Sequence, residues 1–99
     1  MTEMDKKIYA IGGFDGVPLN DVEVYSDMTR RWTEISPMYV ERAQAGVTND
    51  ARYIFVAGGH GITGILKSVE MYNPMTHQWS FLSELKKPRI GCCMVYCLK

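Results

Sequence analysis

The chain has 99 residues and no formal net charge, because 11 Lys and Arg balance 11 Asp and Glu, and 46% of its residues are hydrophobic. This length permits one small domain with a thin core, and the lack of a basic excess argues against nucleic acid or an anionic membrane as the main partner. No apolar run reaches the roughly 20 residues that span a bilayer, the first residues lack the apolar core of a signal peptide, and the three cysteines lie in one segment, so we expect a cytoplasmic protein.

The chain begins with a polar segment, residues 1–7, which we expect to be frayed. Ile8–Ile11 is a continuous apolar run typical of a buried strand, and Gly12 and Gly13 end it. Glycine at these positions permits a positive φ and the close approach of a neighbouring segment. Val22–Tyr25 then alternates apolar and polar residues, which predicts a strand with two unlike faces.

The rest of the chain continues this pattern of short strands and turns. Turn-forming residues separate the apolar runs, and Asn49-Asp50 predicts a tight hairpin turn. No segment of ten residues shows the period of 3.6 that indicates a helix. We therefore predict an all-β chain of eight short antiparallel strands, at residues 8–11, 22–25, 31–35, 43–48, 53–57, 68–72, 78–82 and 91–98.

The second half of the chain repeats the first half at a fixed spacing. Four pairs of residues are 47 positions apart, and the two Gly-Gly pairs are 46 positions apart. The difference of one residue falls in the loop after the glycines, where it disturbs neither strand. The repeated positions are Val22 and Val69, Tyr25 and Tyr72, Trp32 and Trp79, Arg42 and Arg89, Gly12 and Gly58, and Gly13 and Gly59. Self-similarity at this period, built from short strands, predicts the blades of a β-propeller.

The order of these residues resembles the kelch repeat, in which a strand ends in Gly-Gly and is followed by a Tyr and, seven residues later, by a Trp. Tyr25 precedes Trp32 by seven positions, and Tyr72 precedes Trp79 by seven. The resemblance extends over about residues 8–98. It implies four-stranded antiparallel blades of a β-propeller.

The predicted strands do not divide evenly into blades. Named a to d from the inside of a blade outwards, they read b-c-d-a-b-c-d-a. Residues 8–42 then form a first repeat that lacks its inner strand, residues 43–82 a complete repeat, and residues 83–99 the loop and inner strand of a next repeat. Closed propellers have about four to eight blades. Either the chain is a fragment of a longer protein, or copies self-associate to complete a ring, the strand at 91–98 pairing with the first blade of another copy.

The recurring residues of the repeat are expected to be structural. The aromatic pairs pack between blades and the arginines brace neighbouring loops. This set comprises Gly12, Gly13, Tyr25, Trp32, Arg42, Gly58, Gly59, Tyr72, Trp79 and Arg89.

The residues that differ between the repeats lie in loops, where binding sites are usually built. In kelch domains that recognise peptides, the partner lies over the b–c and d–a loops. The resemblance therefore assigns partner contact to Phe14, Asp15, Val17, Leu19, His60, Ile62, Thr63, Ile65, Tyr39 and Gln44, with Ala43, Lys87 and Ile90 beside them.

The residue types that bind metals or perform redox chemistry form no recognisable site. His60 and His77 have no Cys or carboxylate at metal-ligand spacing, so we expect neither metal nor cofactor. Cys92, Cys93 and Cys97 lie on one predicted strand and are interpreted as small buried hydrophobic residues. Cys93 stands where the first copy has Gly46, which departs from the repeat.

The resemblance implies a protein-protein interaction module and not an enzyme. It favours the substrate-recognition domain of BTB-kelch proteins, which capture substrates for a cullin-based ubiquitin ligase. An actin-binding cytoskeletal kelch module is the alternative. A fragment of a propeller enzyme is a remote alternative, because the clustered His and Tyr ligands of a copper oxidase and the Asp box of a sialidase are missing. The expected partner is a protein or peptide.

Overall fold

The computed structural model describes residues 2–4, as backbone, and residues 7–89. Within these ranges the chain forms eight strands and no helix, and so none that could span a membrane. The strands are β1 (Thr2–Met4), β2 (Lys7–Ile11), β3 (Val22–Ser26), β4 (Arg31–Ile35), β5 (Gly46–Asn49), β6 (Ile54–Ala57), β7 (Val69–Asn73) and β8 (Gln78–Leu82). They make two antiparallel sheets, in the orders β1-β2-β3-β4 and β5-β6-β7-β8. The predicted all-β fold of two antiparallel blades is confirmed.

The first sheet has an inner strand, β1. The prediction that the first repeat lacks an inner strand is therefore wrong, and so is the prediction that residues 1–7 are frayed throughout. β1 pairs with β2 so that Glu3 lies opposite Ile8, and β5 pairs with β6 so that Asn49 lies opposite Ile54, 46 positions later. β1 also contacts β5. The described strands therefore read a-b-c-d-a-b-c-d. The sequence conceals β1 because Thr2–Met4 is short and mostly polar, and backbone pairing leaves no pattern in side-chain hydropathy.

Two further predicted strands do not coincide with the described strands. The strand predicted at 43–48 begins later, at Gly46, because Gln44 has a φ of 56°, in the left-handed region that interrupts a strand. The strand predicted at 91–98, with its three cysteines, lies outside the described residues.

The core lies between the two sheets. One face of the first sheet packs against one face of the second, as expected for strands whose successive side chains point to opposite faces. Ile11, Val24, Ile35, Ala45 and Val47 pack around this core at partial burial. Its buried members are Tyr9, Val22, Met38, Ile54, Val56, Tyr72 and Trp79.

The two aromatic pairs of the repeat have the same geometry but different exposure. The ring centroids of Tyr25 and Trp32 are 5.2 Å apart, and those of Tyr72 and Trp79 are 5.0 Å apart. Trp79 is 5% exposed and its indole N–H donates to the Ser36 carbonyl at 2.8 Å, whereas Trp32 is 46% exposed. The first blade covers Trp79, and no described segment covers the equivalent face around Trp32.

The paired tryptophans provide a matched test of the blade packing. We expect Trp79→Ala to lower the free energy of unfolding by about 3–5 kcal/mol, the cost of removing a large buried side chain. Trp32→Ala should cost clearly less at low protein concentration, because half of that side chain is already in water. Urea unfolding followed by circular dichroism measures both. Equal losses would contradict the observed burial.

The hairpin between β5 and β6 turns at Asp50, as the Asn49-Asp50 pair predicts. The Asp50 Oδ1 accepts from the backbone N–H of Tyr53 at 2.8 Å and of Arg52 at 3.0 Å. The Asn49 side chain accepts from the backbone N–H of Ala51 at 3.0 Å. These bonds, that from Tyr53 above all, hold the pKa of Asp50 below its ordinary value of 3.8.

The lowered pKa of Asp50 predicts a pH-dependent contribution to stability. The charged carboxylate stabilises the turn in full above the pKa of the unfolded chain, near 3.8, and this stabilisation is lost as the pH falls through the lower pKa of the folded chain. We expect the stability difference between wild type and Asp50→Asn to be small at neutral pH, because the amide oxygen of Asn can accept the same two backbone hydrogen bonds, and to shrink in acid. Thermal unfolding at a series of pH values checks this. A difference that grows in acid would contradict it.

Candidate protein-binding face

The loops predicted to bind a partner lie at one end of the two sheets. β2 ends at Ile11 opposite Val22, where β3 begins, and Val22 lies opposite Ile35, where β4 ends. The second sheet has the same arrangement. The connections at this end are called the loop face, which comprises residues 12–21, 36–45, 58–68 and 83–89.

The first glycine of each Gly-Gly pair allows two connections of the loop face to touch. Gly12 has a φ of 65°, and a Cβ there would lie 2.5 Å from the Arg42 carbonyl oxygen. Gly58 has a φ of 66°, and a Cβ there would lie 2.6 Å from the Arg89 carbonyl oxygen. Both the conformation and the contact exclude a side chain. Each b–c loop is therefore held against the d–a loop that follows it.

Backbone hydrogen bonds fasten these contacts identically in both repeats. The bonds join the second glycine of each pair, and a leucine later in the same loop, to the recurring arginine. They run from Gly13 N–H to the Arg42 carbonyl at 2.9 Å, from Arg42 N–H to the Leu19 carbonyl at 2.9 Å, from Gly59 N–H to the Arg89 carbonyl at 2.7 Å, and from Arg89 N–H to the Leu66 carbonyl at 3.0 Å.

A buried ion pair lies beneath the loop face, between the two blades. The side chains of Arg42 and Glu70 are both fully buried, and the Arg42 Nη2 lies 3.0 Å from the Glu70 Oε2. The Arg42 guanidinium also donates to the carbonyls of Gly58 at 2.9 Å and Ser68 at 2.8 Å and to the Ser68 hydroxyl at 2.9 Å. Arg42 thus binds the first blade's d–a loop to the second blade's b–c loop.

The carboxylate of Glu70 is equally well satisfied. Its Oε1 accepts from the Tyr39 backbone N–H at 2.8 Å, and its Oε2 accepts from the Val40 backbone N–H at 3.2 Å and from Arg42. Every buried side-chain nitrogen and oxygen of the described residues has a hydrogen-bond partner. A buried ion pair is tolerated when both charges are fully bonded. It holds the loop face as a rigid platform.

Most of the predicted contact residues lie on the surface of the loop face. Phe14 is 65% exposed and Ile62 is 66% exposed, so both present large apolar side chains to solvent. Leu19 is half-buried and Ala43 is buried, and Ile90 lies outside the described residues. The other exposed residues of the predicted set are Asp15, Val17, Tyr39, Gln44, His60, Thr63, Ile65 and Lys87. Whether they contact a partner stays a prediction.

Four of the predicted residues meet around one cavity. Phe14, Ala43, Gln44 and His60 line a space of about 360 Å³. Ala43 and His60 are joined by two backbone hydrogen bonds of 2.7 and 3.0 Å, so loops from both repeats form the cavity wall. Its volume lies at the small end of the range for ligand pockets. It can hold a side chain of a bound peptide.

Tyr39 also lies on the loop face but does not line this cavity. Its ring stacks on Phe81, with centroids 5.2 Å apart and planes at 23°. Both residues are largely exposed, at 64% and 53%. Sequence reasoning missed Phe81 because it lies on a strand. The signal that would have found it is the difference between repeats, since the equivalent position of the first repeat holds Glu34.

Glu70 was also missed, although the sequence marks it. Glu23 and Glu70 are 47 positions apart, as the recurring arginines are. A recurring charge on an otherwise apolar strand indicates a buried partner, and the recurring Arg42 is that partner in the structure.

The two histidines lie in unlike surroundings. His60 is exposed beside the cavity, whereas the His77 Nδ1 lies 3.4 Å from the hydroxyl of Tyr72. Burial, with a smaller contribution from nearby Tyr9, raises the pKa of Tyr72 above 10.0. Within residues 7–89 no group of three or more His, Cys, Asp or Glu could hold a metal ion. His60 can act as a hydrogen-bonding group at the cavity.

Comparison with known proteins identifies similar sequences. The family model for the Kelch motif matches residues 1–39 and 41–86. The chain is 34% identical over 94 residues to Kelch-like protein 23 of Homo sapiens, which covers 89% of this chain and 16% of that protein. It is 34% identical over 73 residues to an F-box/kelch-repeat protein of Arabidopsis thaliana, covering 73% of this chain and 19% of that protein.

A third relative comes from an invertebrate. The chain is 33% identical over 96 residues to Beta-scruin of Limulus polyphemus, which covers 86% of this chain and 10% of that protein. The chain thus spans less than a fifth of the length of these relatives. The first match of the family model begins at residue 1, which agrees with β1 as part of the first repeat.

The contribution of the ion pair to stability can be tested with the equivalent glutamate of the first repeat as the control. Glu70→Ala leaves the buried Arg42 charge without its partner, so we expect a loss of about 3–5 kcal/mol in the free energy of unfolding. Glu23→Ala, at the exposed equivalent position, should change it by less than about 0.5 kcal/mol.

A double variant distinguishes the interaction between Arg42 and Glu70 from the packing that each side chain contributes by itself. Arg42→Met combined with Glu70→Leu removes both charges and should cost less than the sum of the two single substitutions. Urea unfolding of these five variants, Glu70→Ala, Glu23→Ala, Arg42→Met, Glu70→Leu and the double variant, at low protein concentration measures these values. Additive losses would show that the two side chains do not depend on each other.

Proposed function

The chain belongs to the kelch-repeat family, and we propose that it is a protein-interaction module that holds a peptide or protein segment on its loop face. The observation that supports this most is the cavity at which Phe14 of the first repeat and His60 of the second repeat meet. These residues are 46 positions apart, so they occupy the same place in two repeats and differ in chemistry. Binding residues are expected to vary in this way on a repeated scaffold.

The chemistry of the loop face suits a protein partner. Phe14, Val17 and Ile62 are apolar and more than half exposed, and Asp15 and Lys87 supply charges of both signs around them. A mixture of exposed apolar anchors and a polar rim is typical of protein interfaces. The left-handed backbone at Gln44 turns the chain at the cavity edge. The rigid platform beneath these side chains limits the entropy lost on binding.

We further propose that the module recognises substrates for a cullin-based ubiquitin ligase in the cytoplasm. The similarity to Kelch-like protein 23 and to an F-box/kelch-repeat protein supports this choice. The proposal assigns substrate capture to the loop face and no catalytic step to this chain. Actin binding, the alternative that the same resemblance implies, is tested alongside it.

The loop face can be tested by selecting its ligands and then removing its anchors. Peptides selected from a random display library against the wild-type chain should bind Phe14→Ala and His60→Ala at least tenfold more weakly, a loss of about 1.4 kcal/mol. The melting temperature of these variants should stay within error of wild type, since both side chains are exposed. Fluorescence polarisation measures the affinities.

Two methionines provide matched controls. Met28 and Met75 are 96% and 89% exposed and lie in the turns at the opposite end of the sheets. Met28→Ala and Met75→Ala should leave peptide affinity unchanged. Equal weakening by the controls would contradict the assignment of the loop face. Co-sedimentation with filamentous actin that is lost in Phe14→Ala would favour the actin-binding alternative.

A further inference from the structure

A second cavity lies between the two blades, beside the β7–β8 turn, and none of the described residues that line it belongs to the loop face. It is called the joint pocket. Its volume of about 130 Å³ is below the range of pockets for drug-sized ligands, so only a small chemical group fits. Its apolar walls are Val24, Ile35 and Pro74. Its polar groups are the Lys7 ammonium, the hydroxyls of Tyr9 and Tyr72, and the imidazole of His77.

The described residues that line the joint pocket include a cation and no carboxylate. Lys7 lies opposite Ser26, and Ser26 lies opposite Arg31 on β4. Residues directly opposite each other in a sheet share a face, so a second cation follows Lys7 along the edge of the sheet that borders the pocket. Within residues 7–89 neither Lys7 nor Arg31 forms an ion pair. The joint pocket therefore offers positive charge to a ligand.

The Tyr72 hydroxyl at the wall of the joint pocket is weakly bonded. Tyr72 is buried, and its hydroxyl lies 3.4 Å from the Nδ1 of His77. This distance is longer than that of an ordinary hydroxyl hydrogen bond, which is about 2.7–3.0 Å. Burial raises the pKa of Tyr72, so the hydroxyl keeps its proton. It can therefore donate a shorter hydrogen bond to an acceptor in the pocket.

The polar groups that the first blade contributes to the joint pocket are not a feature of the repeat. Lys7 and Tyr9 stand where the second repeat has Tyr53 and Phe55, 46 positions later. The wall positions, in contrast, are apolar in both repeats, as packing between blades requires. The corresponding pairs are Val24 and Met71, and Ile35 and Leu82, each 47 positions apart. The charge of the pocket is therefore an addition to the common packing, as expected of binding residues on a repeated scaffold.

We propose that the joint pocket binds a carboxylate group on a short apolar stem, with the carboxylate at Lys7 and the Tyr72 hydroxyl and the stem against the apolar walls. Lys7 supplies the opposite charge, and a hydrogen bond from the hydroxyl strengthens when its acceptor is ionised. The walls favour this ligand over inorganic phosphate, whose oxygens point in all directions and lose hydration against apolar groups. A free short-chain acid and an acidic protein side chain both supply this chemistry. Because the ligand contacts both blades, its binding stabilises the joint.

Butyrate tests the joint pocket, with butyramide as an uncharged molecule of the same shape. At constant ionic strength, butyrate should raise the melting temperature of the full chain and shift the NMR amide signals of residues 7–9 and 72–77, and butyramide should do neither. Lys7→Gln and Tyr72→Phe should each weaken butyrate binding at least about fivefold. Circular dichroism should show the native fold in both variants, because Lys7 is exposed and Tyr72→Phe removes only an oxygen.

Matched substitutions elsewhere separate this site from general effects. Lys67→Gln removes an exposed lysine of the loop face, and Tyr25→Phe removes the hydroxyl at the equivalent position of the first repeat. Both variants should bind butyrate as the wild type does. Phe14→Ala should also leave butyrate binding unchanged, so the proposal stands apart from peptide binding at the loop face.

A capped glutamate, N-acetylglutamate amide, distinguishes the two sources of the carboxylate. Tighter binding of the capped glutamate than of butyrate would support a protein side chain as the ligand, and the reverse would support a free short-chain acid. Failure of both to bind, equal responses to butyrate and butyramide, or tighter binding of inorganic phosphate would overturn the proposal. Butyrate binding that survives both Lys7→Gln and Tyr72→Phe would overturn it as well.

Discussion

The buried contact between Arg42 and Glu70 is the constraint on which the rest of the molecule depends. Two charges removed from water are stable only while every donor and acceptor around them is bonded. Here those partners come from the b–c loop of one blade and the d–a loop of the other, through Gly58, Ser68 and Tyr39. The angle between the blades and the shape of the loop face are therefore held by the same set of bonds.

This arrangement separates stability from recognition. The residues that repeat, such as Tyr72 and Trp79, lie in the joint, while the residues that vary, such as Phe14 and His60, lie above it in water. A substitution in the loops changes which side chain reaches the cavity without disturbing the bonds below. The repeat can therefore carry different binding surfaces on one framework.

The fold followed from the sequence wherever side chains leave a pattern. Apolar runs, the Gly-Gly pairs and the aromatic spacing marked seven of the eight described strands, and the Asn49-Asp50 turn lies where it was expected. β1 was not predicted because the strand Thr2–Met4 forms by backbone pairing with β2, and the hydropathy of side chains does not reveal such pairing. The loop positions of the candidate site could also be predicted from the sequence. The cavity could not, because it forms from segments that are distant in sequence.

The sequence by itself determined the period, the strands and the chemistry at each repeated position. It did not determine what surrounds those positions, since Trp32 and Trp79 carry the same local signature and only Trp79 is buried. Tertiary structure decided this, because burial depends on which neighbouring sheet covers a face. It likewise decided that Arg42 meets Glu70 while Arg89 and Glu23 stay exposed, since an ion pair forms only where two blades bring opposite charges together.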